Sequence, residues 1–280
     1  MKHLLLLACL LSSVTAIYAQ QSERYAPWFV ERFKVSASFF APSNNTDVKL
    51  SNTEFLGSEV NLEDDLGFRD HINTFKADVQ WRASSRSRFD FSYYRLHRSA
   101  IHQLEKTIQF GENTYNVNGT TDGYFNSDIF RLSYGYAIFQ GAKYEAGLMA
   151  GVHVLKMDMG LELTSAGANL DVKDTYDVTA PLPNVGIWGG YAFSPRWAVN
   201  GDLSYMSLSI DDINGSIVTG GVNVSYRIGA GFSASAGYMG LNVNFDGERD
   251  GMLGDVDWAF HGPVVSVSYG FGGKRWKTLK

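Results

Sequence analysis

Residues 131–154 read RLSYGYAIFQGAKYEAGLMAGVHV. Two runs of strict alternation flank a short break at Gln140–Lys143. Before it, Leu132, Tyr134, Tyr136 and Ile138 alternate with Arg131, Ser133, Gly135 and Ala137. After it, Leu148, Ala150, Val152 and Val154 alternate with Gly147, Met149, Gly151 and His153. A period of two marks a β-strand with unlike faces, because successive side chains point to opposite sides. The break has the length of a hairpin turn, and Phe139 and Tyr144 stand on either side of it. The stretch reads as an antiparallel hairpin with one apolar face and one face of small and charged residues.

The same pattern extends in both directions. Upstream it runs through Phe33–Phe39, Phe75–Trp81 and Phe89–Tyr93. Downstream it runs through Val185–Phe193, Trp197–Tyr205, Val218–Tyr226, Phe232–Tyr238 and Val265–Phe271. With the first two, that makes ten segments, and an even count leaves both ends on one side of a membrane. Short links at Ser84–Arg88, Gln140–Lys143, Ser194–Arg196 and Ile228–Gly231 alternate with long polar links at 43–71, 105–120, 165–178 and 247–256. Asp211–Ser216 is the exception, a short link holding the turn pair Asn214-Gly215. Aromatic residues flank the tight turns: Trp81 and Phe89, Phe139 and Tyr144, Phe193 and Trp197, Tyr226 and Phe232. Rings prefer the boundary of lipid and water, and a soluble β-sandwich has no reason to place them so. The predicted fold is all-β: an antiparallel up-and-down transmembrane β-barrel of about ten strands. Eight or twelve stay open, because 105–120 has room for a further hairpin.

Composition narrows the alternatives. The 280 residues carry a net charge of −5, are 45% hydrophobic and 14% aromatic, and include 29 glycines. Past the N-terminus no apolar run reaches the length of a membrane helix. The acidic balance argues against nucleic acid as a partner, and six prolines with few polar runs argue against a disordered chain. Lys2 and His3, the apolar run Leu4–Leu11 and a small-residue exit at Ala19 have the layout of a secretory signal. The expected organisation is a signal at 1–19, an N-terminal periplasmic segment at 20–31, a barrel at 32–271 and a basic tail at 272–280. Cys9, the only cysteine, leaves with the signal, so no disulfide or cysteine-bound metal is expected.

The small-residue and charged faces give a provisional lumen. Lys76, Arg82, Arg131 and Arg227 are its cations; Asp78, Asp90, Glu145 and Asp202 are its anions. A selective pore favours one sign at its constriction, whereas a balanced set suits pairing across a narrow interior. Ten strands enclose little more space than side chains fill, so a mostly plugged, weakly conducting lumen is expected. Met149, Met157, Met206, Met239 and Trp188 fall on or near the inward face, either as packing or as the lining of an apolar path.

Two motifs have spacings that suggest chemistry. His97-Arg98-Ser99 places a base and a hydroxyl on one face of a strand, but no acid accompanies it in sequence and Ala100 follows. Asp246-Gly247-Glu248-Arg249-Asp250-Gly251, with Asp257 at the twelfth position, approximates a calcium loop. Its Glu at position three, Asp at position twelve and flanking strands make an acidic hairpin tip the expected reading. No catalytic residue, metal or cofactor is assigned.

Asn61–Phe68 (NLEDDLGF), Thr179–Pro183 (TAPLP), Ser194–Trp197 (SPRW) and the closing His261-Gly262-Pro263 resemble a family of proteobacterial outer-membrane β-barrel proteins grouped with the small OmpA- and OmpW-like barrels. The resemblance spans about residues 30–271. It implies the outer membrane of a Gram-negative bacterium, with outer-membrane lipid, lipopolysaccharide and the barrel-assembly machinery as partners. It also extends to this chain the small apolar solutes associated with OmpW-like barrels. One departure is the C-terminus: such barrels end on an aromatic residue, and here nine residues follow Phe271. The expected function is non-enzymatic, structural or a narrow route for small solutes. The alternatives are a surface protein acting through loops such as 43–71 and, behind it, a lipid-modifying enzyme.

Overall fold

A computed structural model describes residues 27–52, 57–110, 113–164, 172–210, 213–249 and 252–272. The signal and most of the tail lie outside the described residues. A 3₁₀ turn (Pro27–Phe29) is followed by β1 (Phe33–Phe40), β2 (Ser43–Asn52), β3 (Val60–Asn61), β4 (Thr74–Arg82) and β5 (Ser87–Gln103). A small hairpin, β6 (Ile108–Phe110) and β7 (Asn113–Tyr115), precedes β8 (Thr120–Gln140), β9 (Tyr144–Thr164) and β10 (Val172–Ala192). β11 (Trp197–Ile210), β12 (Ile213–Gly229), β13 (Phe232–Arg249) and β14 (Met252–Phe271) complete the chain.

β1, β4, β5 and β8–β14 are the ten walls of a closed antiparallel barrel, and β1 meets β14 to close it in the register Phe33↔Phe271 through Phe40↔Val264. β2 continues the line of β1 along the upper part of β14. The tight turns gather at one end. In two of them a serine hydroxyl accepts backbone N–H bonds: Ser84 from Arg86 and Ser87, Ser194 from Arg196 and Trp197. At the β12–β13 turn Gly231 sits at φ +90, where a Cβ would meet the Gly270 carbonyl at 2.6 Å. The flanking aromatics form a girdle outside this end. Trp81 stacks on Phe89 at 5.3 Å, Phe89 meets Tyr134 at 5.1 Å, and Phe232 meets Tyr269 at 4.8 Å.

The long links differ from expectation. Most of 247–256, the described part of 165–178, and the short runs 108–110 and 113–115 within 105–120 are strand. The hairpin allowed at 105–120 exists as β6–β7, but it forms a separate two-stranded sheet and adds nothing to the wall. Asn214-Gly215 lies inside β12, paired to Ser209 and Leu208, rather than at the turn.

These strands are long because they serve two environments without losing phase. On β9, odd residues face in throughout. Glu145, Gly147, Met149, Gly151 and His153 are followed by Leu155, Met157, Met159 and Leu161. Facing out, Leu148, Ala150, Val152 and Val154 give way to Lys156, Asp158 and Glu162. Leu148 is 55% exposed and Leu155 is 0% exposed. β8 turns over at the same rung, Phe130↔Val154, and β13 and β14 do so near Tyr238↔Pro263. Below that rung the barrel is apolar outside and polar inside, as a membrane wall must be. Above it the same ladder is polar outside and apolar inside, as in a water-soluble barrel.

The upper wall has two breaks. Among the described strands, nothing pairs with β5 beyond Tyr94 on its β4 side, or with β10 before Val185 on its β11 side. At the second break Pro181 and Pro183 lie on an unpaired edge, where a missing N–H costs no ladder bond. The first is filled by residues 60–72. Leu62 N–H bonds the Thr46 carbonyl, Ile72 N–H the Pro42 carbonyl, and Asn44 N–H the Asp70 carbonyl.

Candidate functional site

The interior divides at the same rung as the exterior. Below it lies a polar chamber of about 220 Å³. Above it lies an apolar core built from Phe125, Trp258, Phe260, Leu155 and Met159, with Leu62, Leu66 and Phe68 from the inserted segment and Ile108, Phe110 and Tyr115 from β6–β7. Ring contacts knit it together: Phe125–Trp258 at 5.2 Å, Trp258–Phe260 at 5.1 Å and Tyr94–Phe260 at 6.0 Å.

Polar groups inside this core act as fasteners. Arg98 pairs with Glu63, and both side chains are at least nine-tenths buried. Glu63 also accepts from Thr46 N–H at 2.8 Å and Thr46 Oγ1 at 3.1 Å, while Arg98 Nη2 donates to Thr46 Oγ1 at 2.7 Å. This ties the inserted segment to both β2 and β5. The buried Asp174 carboxylate accepts from Tyr115 Oη at 2.9 Å and from Asn113 Nδ2 at 3.1 Å, tying β7 to β10. Burial and the neighbouring Asp174 push the Tyr115 hydroxyl well above the ordinary tyrosine range.

All eight provisional lumen residues point inward, and the structure pairs them. Arg82 holds Glu145, Lys76 pairs with Asp78, and Arg131 reaches Asp202 at 2.9 Å. Asp90 takes Arg88 at 3.0 Å, and Arg227 takes Glu31. Arg88, Lys34 and Glu31 complete the set and were missed in sequence. Arg88 and Lys34 carry the same parity as the others, next to Phe89 and Phe33; Glu31 precedes the first strand and has no such signal. Arg88 also lies 3.5 Å over the Trp188 ring, whose Nε1 donates to the Leu148 carbonyl. Met149 lines the chamber and packs with buried Trp188 and Ala137, Met157 is in the apolar core, and Met206 and Met239 pack against that core.

At the lower end the 3₁₀ turn folds under the barrel. Phe29 is buried against Ala192 and Ala198, and Trp28 lines the chamber beside Arg227 at 5.2 Å.

His97 and Ser99 stand on the outer wall above the rung. The acid that the sequence did not supply is Asp128, brought from β8 to 3.8 Å from His97 Nε2. Arg95 Nη2 sits 3.0 Å from His97 Nδ1, so the imidazole is engaged by Arg95 and Asp128 rather than by the Ser99 hydroxyl. The calcium-like stretch is a regular hairpin: Asp246 faces Asp255, and Asp257 faces Asn244. A ladder keeps these carboxylates along its length and does not wrap them around an ion; Asp250 and Gly251 lie outside the described residues. Among the described residues no group of three or more His, Cys, Asp or Glu is placed to hold a metal.

No protein-family model matches the chain, and no curated protein matches it in sequence. Among solved structures it is similar to the outer membrane protease OmpT of Escherichia coli, with a TM-score of 0.55 and 11% identity over 85% of this chain and 96% of that one. The translocator domain of the autotransporter NalP from Neisseria meningitidis overlays at TM-score 0.47 and 12% identity, covering 96% of each chain. The toluene transporter TodX of P. putida overlays at TM-score 0.30 and 10% identity, covering 85% of this chain and 90% of that one. Such identities carry no chemistry from one protein to another. What the chain shares with OmpT is its fold, that of an outer-membrane β-barrel.

Proposed function

We propose that this chain is a non-enzymatic barrel of a Gram-negative outer membrane, closed to solutes, whose rigid upper half is a surface for contact outside the cell. One observation carries the reading: an apolar core of buried residues drawn from strands around the barrel sits directly above the polar chamber. An ion crossing that core would exchange its water for apolar side chains and for polar groups already bonded to one another, a cost of many kcal/mol. The expected surroundings are outer-membrane lipid and lipopolysaccharide at the belt, with the barrel-assembly machinery acting on the chain before insertion. The engagement of His97 by Arg95 and Asp128 supports a non-catalytic role for the His97–Ser99 pair.

The test is single-channel recording of the refolded mature chain in a planar bilayer, with folding established by its heat-dependent gel shift. Folded protein without conductance steps is the expected result. A steady conductance would overturn the closed-barrel reading and restore the narrow route for small solutes. Contact through the upper half is tested separately, by deleting 53–59 from a barrel that still folds and measuring adhesion of cells that display it.

A further inference from the structure

The chamber has two unlike walls. On one, large charged side chains are committed to each other: Lys76 to Asp78, Arg88 to Asp90, Arg131 to Asp202. On the other, small hydroxyls line up in two adjacent rungs. The first joins Ser225, Ser235, Ser266 and Ser38 across β12, β13, β14 and β1. The second joins Ser233, Ser268 and Ser36 across β13, β14 and β1. The sequence writes these rungs as three Ser-x-Ser pairs: 36 and 38, 233 and 235, 266 and 268. Serine is the smallest side chain that both donates and accepts. A wall of serines therefore leaves the space that the charged wall consumes, and presents hydrogen-bonding groups to it.

We infer that this chamber is a binding site for one small, neutral, polyhydroxylated solute of monosaccharide size. Four features converge on that class. The volume of about 220 Å³ is roughly the liquid share of seven waters, the scale of a single hexose. The ion pairs balance one another and leave one uncompensated charge, on Lys34, which disfavours a multiply charged ligand. Uncommitted donors and acceptors remain. Ser36 bonds Ser268 and Ser38 bonds Ser266, both at 2.8 Å, whereas the Ser233 and Ser235 hydroxyls make no side-chain hydrogen bond among the described residues. Lys34, which lines the chamber, makes no ion pair among them, and the Trp28 indole Nε1 is buried without a partner at the lower end. Paired carboxylates such as Asp78 and Asp202 keep about a quarter to a third of their surface open and have further lone pairs for vicinal hydroxyls. With the upper end filled by the apolar core, the solute enters and leaves past Trp28. The single entrance at the tight-turn end rests on the closed barrel proposed above; sugar binding in the chamber does not, and is tested separately from conductance.

The test is titration of D-glucose into the mature chain folded in a detergent without a sugar headgroup. Saturation-transfer NMR and calorimetry give the readout, and gluconate and glucosamine serve as charged comparators. Expected is saturable glucose binding, about tenfold weaker in Lys34→Met through loss of a charged donor. In Ser235→Leu, which fills the chamber from the small wall, binding is lost while the heat-dependent gel shift is intact. Absence of saturable glucose binding overturns the proposal. So does gluconate or glucosamine binding tenfold better than glucose, which would make this an ion site. Undiminished binding in a folded Ser235→Leu would place the sugar elsewhere on the protein and overturn it equally.

Discussion

Arg82 and Glu145 meet across the floor of the barrel through two hydrogen bonds of 2.8 and 2.7 Å, although two strands separate them in the wall. Their side chains are 1% and 4% exposed. The pair is a strut joining β4 to β9, held where water scarcely reaches. Removing one partner strands a buried charge, which costs about 3–5 kcal/mol, whereas replacing both with apolar residues of similar size is close to neutral. Glu145→Ala therefore lowers the stability of the refolded barrel by that amount, and Arg82→Met with Glu145→Leu restores most of it. Urea unfolding followed by gel mobility measures both; an equal loss in the single and double variants would refute the strut.

The Glu63–Arg98 pair predicts a more local failure. Glu63→Ala removes the acceptor of Arg98 and of the Thr46 backbone, freeing the inserted segment from β5 and leaving only its backbone bonds and packing to hold it to β2. Protease cleavage within 57–72 should rise at least tenfold while the gel shift of the barrel persists. Cleavage unchanged from the parent would show that the backbone bonds to β2 and the packing of Leu62, Leu66 and Phe68 hold the segment without the ion pair.

The apolar core predicts where the seal is weakest to substitution. Trp258 is fully buried and contacts both Phe125 and Phe260. Trp258→Ala should cost about 3–5 kcal/mol through lost contacts and the cavity left behind. The loss falls on the upper half, so hydrogen exchange should quicken in β13 and β14 above Tyr238 and stay slow below Pro263.

The upper hairpin should also respond to pH. Burial, then the Asp246 carboxylate opposite, hold the Asp255 carboxyl above its ordinary value of 3.8, while Lys49 opposes them. A carboxyl raised in this way destabilises the folded form when charged; the penalty is complete above the folded pKa and vanishes below the unfolded one. The β13–β14 tip therefore becomes more stable as pH falls from neutral toward 3.8. Hydrogen exchange of tip amides, corrected for intrinsic rates, should show this gain in the parent chain and not in Asp255→Asn.

The lower barrel was legible because lipid and water impose opposite chemistries on neighbouring residues, and Leu132–Ile138 or Leu148–Val154 display them without interruption. The upper barrel was as regular but written in the opposite sense. Leu155-Lys156-Met157-Asp158-Met159-Gly160-Leu161 alternates as strictly as any belt strand. Anchoring the phase to an outward apolar face makes such a stretch look like the start of a polar loop. The eight lumen charges followed from parity alone. Which of them pair did not, because Arg82 and Glu145 are brought together by barrel curvature, and Glu63 and Arg98 by a loop folding back into a gap in the wall; neither has a local spacing to betray it.

The turnover rung sets how far the protein stands out from its membrane. β9 has 21 residues, which at about 3.3 Å each and a tilt near 40° rise roughly 50 Å. A belt takes about 25 Å of that. In an outer membrane the remaining 25 Å or so would lift the hairpin tips through the inner sugars of the lipopolysaccharide coat. An antibody or a phage fibre, too bulky to reach the lipid, would then meet stiff β-structure first, and escape mutations would gather at the turns between strands rather than along their length.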